Sequence, residues 1–385
     1  MAKAVLSGYG IHTSIKDAEG RLDVRWDTGP ADLTSRYELN ERSLSLACPQ
    51  TMNGPSGKPK NTKIPPGTAM VEFAARHALQ NAGLDTFDAY RTAVVVASMS
   101  NGRDYDLKNV LNPEENSAAE SGLLETMLQS PAWHLAKEIG ARSYVQNLSA
   151  TNQGGLAALA KGLRLIEENH ADIVLVGSCD TARNSGNPAA MLSAGLSAEN
   201  EGFNGHSSEG GFVLVLESID HALARRAGQM VPVYAPSPAN GEYRLPDSAG
   251  ATLARTIHSL LQGMQGNQAT RIESVFGLAK GPARMQAVEA RAMLDFFGDQ
   301  INQINLVSLA KQVGCFWQGN GLLHVCLAFE CLIQKPDPAL FELDREQYLS
   351  GARPGRKVAG KVIPANALVV DQSISGQFHS VLLGR

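Results

Sequence analysis

Residues 144–160 (Tyr-Val-Gln-Asn-Leu-Ser-Ala-Thr-Asn-Gln-Gly-Gly-Leu-Ala-Ala-Leu-Ala) carry an apolar run into a Ser/Thr/Gly-rich turn and then a helix-forming stretch that continues through Ile166. Residues 171–180 follow as a buried strand ending in small side chains. Strand, tight turn, helix, strand is a way to hold one reactive side chain at a helix N-terminus, where the dipole favours an anion. The turn itself offers Ser149, Asn152 and Gln153, and no thiol. An amide is not a useful nucleophile. Ser149 reads as a strand-end structural serine or, alternatively, as a nucleophile. Asn152 reads either as a residue bonding the turn backbone or as pocket lining. Elsewhere, Cys315 before Phe316-Trp317 is a buried thiol or a nucleophile for which no histidine can be assigned. His324 and His379 read as satisfied core or surface histidines rather than bases.

The chain that positions these residues has 385 residues, 43% of them hydrophobic and 19% charged, with a net charge of −4. That is the composition of an ordinary globular protein, long enough for one large core or two medium ones. The balance of charge, with no basic cluster interleaved with aromatics, points away from nucleic acid and from anionic membrane surfaces. No apolar run approaches the ~20 residues needed to span a bilayer, and the first ten residues do not read as a signal peptide. Five widely spaced cysteines, at 48, 179, 315, 326 and 331, read as buried thiols of a reducing cytoplasm. No CxxC or His/Cys cluster suggests zinc, and neither a metal nor a cofactor is expected. The glycines of 202–205 and 319–321 read as turns rather than phosphate loops.

Alternating strand and helix signals argue for an α/β fold. Strands are expected at 4–7, 92–98, 171–180, 210–217, 274–278, 305–308, 367–370 and 380–383. Helices are expected at 70–82, after the central turn, and at 219–227, 251–264, 285–297 and 319–332. The proline- and glycine-rich stretch 52–67 is expected to be loop, and the polar stretch 101–120 a mobile surface segment. The two parts of the chain repeat the same rhythm, which suggests a duplicated α/β unit with halves 1–230 and 231–385.

Taken in order, these segments resemble the β-ketoacyl synthase family over nearly the whole chain. Residues 208–217 (Ser-Glu-Gly-Gly-Phe-Val-Leu-Val-Leu-Glu) resemble the family's G-E-G-A-G strand, residues 219–228 its following helix and glycine, and residues 375–383 sit where the family has G-F-G-G-x-N-x-S. The resemblance implies a thiolase-like fold, two duplicated halves in a layered α-β-α-β-α core, with the nucleophile turn in the first half. Active members carry Cys-His-His. Aligned to the family's T-A-C-x-S-G, H-G-T-x-T-x-x-x-D and K-x-x-x-G-H motifs, those positions read Asn152, Leu278 and Cys315 here, with Gln153 at the cysteine position if the turn slips by one residue. Decarboxylative condensation needs a thiolate to carry the acyl group and two imidazole N–H groups to stabilise the enolate oxygen. With all three replaced, the resemblance implies a chain that does not catalyse condensation on its own.

Ketosynthases of this family are dimers in which the strand entering the nucleophile turn pairs with its counterpart. Here that strand is Ser143, Tyr144, Val145, Gln146, Asn147 and Leu148. Each subunit also lends side chains to the far end of its partner's acyl tunnel. The resemblance is therefore to a chain-length factor: a subunit that pairs with an active ketosynthase, meets the acyl-carrier protein through that complex, and sets product length in polyketide, fatty-acid-like or aryl polyene biosynthesis. The gate is expected at Met99, Ser100 and Asn101, with small Ser100 leaving the tunnel open to a long chain. The alternatives are an acyltransferase or thioester hydrolase using Ser149 or Cys315, and a homodimeric acyl-binding protein.

Overall fold

The computed structural model describes residues 3–13, 35–39, 42–47, 64–98, 130–149, 153–181, 207–235, 239–241, 246–263, 272–278, 283–314, 316–333, 342–343, 348–349, 364–373 and 376–384. Along the first half run β1 (Ala4–His12), β2 (Ser35–Leu39), β3 (Arg42–Ala47), α1 (Pro66–Ala82), β4 (Thr92–Ala97), α2 (Ser130–Ile139), β5 (Val145–Leu148), α3 (Gly154–Glu167), β6 (Ile173–Asp180), β7 (Ser207–Ser208), β8 (Gly210–Ser218) and α4 (Ile219–Ala224). The second half adds β9 (Val231–Tyr234), β10 (Ala239–Asn240), α5 (Pro246–Gly263), β11 (Ser274–Phe276), α6 (Ala283–Phe297), β12 (Asn305–Val307), α7 (Ala310–Val313), α8 (Asn320–Ile333), β13 (Asn366–Gln372) and β14 (Gln377–Gly384).

The same five-stranded unit is built twice. In the first, the order is β1-β8-β6-β4-β5, with β1–β8 and β8–β6 antiparallel and β6–β4 and β4–β5 parallel. In the second, the order is β9-β14-β13-β11-β12, with β9–β14 and β14–β13 antiparallel and β13–β11 and β11–β12 parallel. The units meet where Val5 and Leu6 of β1 pair with Pro232 and Val231 of β9. The outer strand of the second unit is flanked by its own chain, through a bridge from Val307 to Glu342 and a bond from Leu343 N–H to Leu306 C=O.

Three apolar clusters set the layers. The central one joins α3 and α8 to strands of both units. A second packs α1 and α2 on the outer face of the first unit, and a third packs α5 and α6 on the outer face of the second. The result is the α-β-α-β-α stacking of a thiolase-like α/β fold. Helix α8 is enclosed on nearly every side and mostly apolar, with Asn320, His324 and Glu330 as its buried polar residues. Its Leu322, Leu323, Val325, Leu327 and Leu332 are fully buried, each contributing about 1.5–3 kcal/mol.

Several elements differ from the sequence expectation for local reasons. Strand β1 continues through Gly8 and Gly10, because α1 lies against it so closely that a Cβ at Gly8 would stand 2.6 Å from the Ala82 nitrogen. Helix α1 begins at Pro66, inside the stretch expected to be loop, since proline at the first helical position loses no hydrogen bond. It ends as expected at Gly83, which takes the left-handed conformation at φ 68°. Helix α4 stops at Ala224, earlier than expected, with Arg226 at φ 57° and the Ala227 N–H turned back to the Ala222 carbonyl. Strand β9 and helix α2 had no expectation attached to them. The segment 101–120 and the glycines of 202–205 lie outside the described residues. None of the helices, among the described residues, is long and apolar enough to cross a membrane.

Candidate functional site: facing helix N-termini over a buried amide layer

The central helices α3 and α8 start beside one another, and the sequence at each start is what allows it. A Cβ on Gly154 would overlap the Gln318 side-chain oxygen and lie 2.8 Å from Ala97 Cβ. One on Gly155 would lie 2.8 Å from both the Gln318 carbonyl oxygen and Leu322 Cγ. With both side chains reduced to hydrogen, the Gly155 N–H donates to the Gln318 carbonyl at 3.0 Å. At the start of α8, a Cβ on Gly321 would meet Asp371 Oδ2 and Leu156 Cγ, each at 2.6 Å. Glycine is therefore required at these starts by close approach, which is a packing role and not a phosphate loop.

Between the two starts lies a layer of buried polar side chains. Gln153 holds the N-cap position of α3 (φ −122°, ψ 20°), its carbonyl accepting the Ala157 N–H at 3.2 Å while its side chain makes no capping bond to the helix. Its side chain is fully buried and its Nε2 donates to Gln377 Oε1 on β14. Gln318, Asn320, Asp371 and His379 are buried in the same region, and Asp371 stands directly across from His379 in the β13–β14 register. His324 is committed to backbone on both sides: Nδ1–H donates to the Asn320 carbonyl at 2.8 Å, and Nε2 accepts the Leu309 N–H at 3.2 Å. That assigns its proton to Nδ1 and makes it a structural histidine. Sequence reasoning did not single out Gln318, Gln377 or Asp371; the available signal was the polar run Gln318-Gly-Asn320 opening a mostly apolar helix.

Asn152 and Cys315 lie outside the described residues, as do Met99, Ser100 and Asn101. Their neighbours do converge. The contact between Gly155 and Gln318 joins residues three positions beyond 152 and 315. Ser208 Oγ donates to the Val313 carbonyl, and the Phe212 and Phe316 rings meet edge to face at 4.9 Å, so the start of β8 packs beside Val313 and Phe316. Leu278 lies two residues beyond the end of β11, fully buried in the outer cluster with α5 and α6. Beside it, Gly277 has φ 90°, and a Cβ there would overlap the Val370 carbonyl oxygen. Ser149 is exposed at the end of β5. The Cys326 thiol is pushed well up by burial and then by Glu330, which makes it inert.

The strand leading into the turn is the outermost of its unit, bonded to β4 on one side. Ser143 and Tyr144 extend that contact through Ser143 N–H to Thr92 C=O and Val94 N–H to Tyr144 C=O. Val145 is 41% exposed, and nearby Trp133 on α2 and Tyr90 are 47% and 68% exposed. Tyr144 is held by a bond to Gln146 Oε1 at 2.8 Å and by Lys161 Nζ, 4.9 Å above its ring.

Comparison with known proteins agrees with this layout. The family model for the β-ketoacyl synthase N-terminal domain matches residues 52–218. A protein of Streptomyces cyaneus named polyketide β-ketoacyl synthase 1 is 26% identical over 322 residues, covering 74% of this chain and 75% of its own. A protein of the same name from Streptomyces halstedii is 26% identical over 275 residues, covering 63% of this chain and 64% of its own. Among solved structures, the ishigamide ketosynthase/chain length factor superposes with a TM-score of 0.77 at 18% identity, over 100% of this chain and 99% of that one. AntDE:AntF, a type II acyl-carrier protein in complex with its ketosynthase bound to the hexaketide, gives 0.76 at 18% identity over the same shares.

Proposed function

We propose that this chain, which belongs to the β-ketoacyl synthase family, is a chain-length factor: the non-catalytic subunit of a heterodimer with an active ketosynthase. The observation that carries this reading is the pairing of two features at one place. Strand β5 is an outermost strand with exposed Val145, and it runs straight into a nucleophile turn whose sequence holds no cysteine. An open strand edge is a template for another chain, so selection has a reason to keep β5 after the thiolate chemistry beside it is gone.

In that complex the partner supplies the thiolate and the two imidazoles, carries the growing acyl group, and meets the acyl-carrier protein. This chain supplies residues 143–148 to the shared interface and Met99, Ser100 and Asn101 to the far wall of the partner's tunnel. The positions Asn152, Leu278 and Cys315 take no part in bond making. The substrate class is a polyketide or fatty-acid-like chain, with an extended aryl polyene as the finer reading, and the complex works in the cytoplasm. A ketosynthase/chain length factor and a carrier protein in complex with its ketosynthase stand among the structural neighbours, which supports this reading.

Co-expression with a neighbouring ketosynthase gene, followed by native mass measurement, tests the reading. A one-to-one complex is expected. A stable monomer or homodimer that ignored every ketosynthase would overturn it. Covalent acylation of this chain by an acyl-carrier protein, seen by intact mass, would instead establish an enzyme acting through Ser149 or Cys315.

A further inference from the structure

We infer that Lys137, Arg142 and Lys161, set around the open edge of β5, select this chain's partner by charge: they repel a second copy of the chain and accept an acidic counterpart. The inference rests on the reading above only for the identity of that counterpart, the ketosynthase. The middle of the edge is apolar, with exposed Val145 and Trp133. Around it stand three aromatic rings, and each carries one cation. Lys137 Nζ lies 5.4 Å from the Trp133 centroid, the Arg142 guanidinium 5.7 Å from that of Tyr90, and Lys161 Nζ 4.9 Å from that of Tyr144. All three couples border the strand. Trp133 and Lys137 are on α2, which packs beside β5, and Tyr144 immediately precedes β5 with α3 and Lys161 behind it. Tyr90 is held at the foot of the strand, where the Arg142 N–H donates to the Ala89 carbonyl at 2.8 Å.

None of the three cations makes an ion pair with a described residue. The neighbouring carboxylates are engaged elsewhere. Asp88 accepts the Tyr90 N–H at 2.8 Å, Asp172 is held by Arg91 at 2.9 Å, and Glu138 acts on Glu72 of α1, whose carboxyl is raised by burial and then by that charge. The patch therefore contains cations without a built-in complement. A twofold contact between two copies sets a patch against itself, so it would bury these cations among their own kind, and a buried charge without a partner is costly. Aspartates or glutamates around a matching strand of another chain would turn the same three cations into charge-assisted contacts, with each ring still beneath its cation. The strand edge offers backbone pairing to any copy; the cations decide which copy takes it.

The test compares the full chain with its variant Lys137→Glu/Arg142→Glu/Lys161→Glu by sedimentation velocity, each alone, mixed together, and with the ketosynthase. Alone, each is expected to stay a monomer, since each edge carries charge of one sign. Mixed, the two are expected to form a one-to-one dimer that high salt weakens by roughly tenfold or more. The ketosynthase is expected to bind the variant roughly tenfold or more weakly than the wild type. Should the triple variant fail to fold, judged by its melting transition, Lys137→Glu/Arg142→Glu, both at exposed positions, carries the same expectations. A wild-type chain that self-associates as tightly as the mixture pairs would overturn the charge rule, as would a mixture that stays monomeric. Ketosynthase binding indifferent to the reversal would overturn it too. The mixing arm needs no ketosynthase, so a mixture that pairs while the ketosynthase ignores both chains upholds the charge rule and sinks the chain-length-factor reading alone.

Discussion

The backbone of Gly155 is bonded to the backbone of Gln318 across the centre of the molecule, joining the first turn of α3 to the turn that opens α8 at 3.0 Å. The residues come from different halves, so this bond locks the two central helices in register. A Cβ at 155 would press on the same carbonyl at 2.8 Å and on Leu322. Gly155→Ala is expected to destabilise the fold by about 1–3 kcal/mol, the usual cost of overpacking a close-packed core. Gly228→Ala, where nothing lies within 4 Å of the added methyl, should leave stability within about 0.5 kcal/mol of wild type. Chemical denaturation of the two variants gives the contrast directly.

Acid sensitivity should centre on Glu217. Its side chain is fully buried, which raises its pKa. Hydrogen bonds from Arg225, Ser7 and His221 outweigh burial and hold it below the ordinary carboxylate value. Arg225 grips both oxygens, with Nε at 2.6 Å, and His221 Nδ1 lies at 2.7 Å. A carboxylate whose pKa is lower in the folded chain contributes stability that is fully present above its unfolded value, about 4.3, and lost as pH falls through the folded value. The melting temperature of wild type should therefore fall on acidification more steeply than that of Glu217→Gln, with the gap closing below roughly pH 4. Arg225→Ala, which leaves the buried carboxylate without its main partner, should cost about 3–5 kcal/mol at neutral pH.

Val145→Lys tests the open edge. The position is exposed, so the fold should survive with its melting temperature little changed. A lysine on an edge strand opposes pairing with a second chain, and association with the ketosynthase should weaken by roughly tenfold or more, about 1.4 kcal/mol. Complex formation as strong as wild type, measured by analytical ultracentrifugation, would move the interface away from β5.

Ser100→Trp should shorten the product of the reconstituted pair without abolishing turnover, because a bulky side chain would close the tunnel's far end rather than touch the reacting atoms. Mass spectrometry of the released chains reads the effect. Unchanged length would remove Ser100 from the gate.

Much of the fold was legible because its strands are continuous apolar runs. The β4 run Ala93-Val-Val-Val96 and the β8 run Phe212-Val-Leu-Val-Leu216 are buried on both faces and could be placed to within a residue or two. Other features depended on partners that no local pattern reveals. Gly8 and Gly10 look like strand breakers, and their strand persists because α1 packs onto bare backbone there. Strand β9 is only four residues long and alternates between buried and half-buried positions, so the run contains little apolar signal of its own. The amide layer was the hardest to foresee. Gln153, Gln318 and Gln377 are widely separated in sequence, and a glutamine's ordinary place is the surface. The turn was visible; the buried amides beside α3 depended on how the two halves are brought together.

The duplication has one asymmetry with a consequence for growth. Strands β5 and β12 occupy matching outer places in the two units, yet Glu342 and Leu343 bond the outer edge of β12 while no backbone bond, among the described residues, reaches the outer edge of β5. Of these two matching sheet ends, among the described residues, only the β5 end offers its backbone to another chain, so joining through it pairs two subunits without leaving an equivalent end for a third.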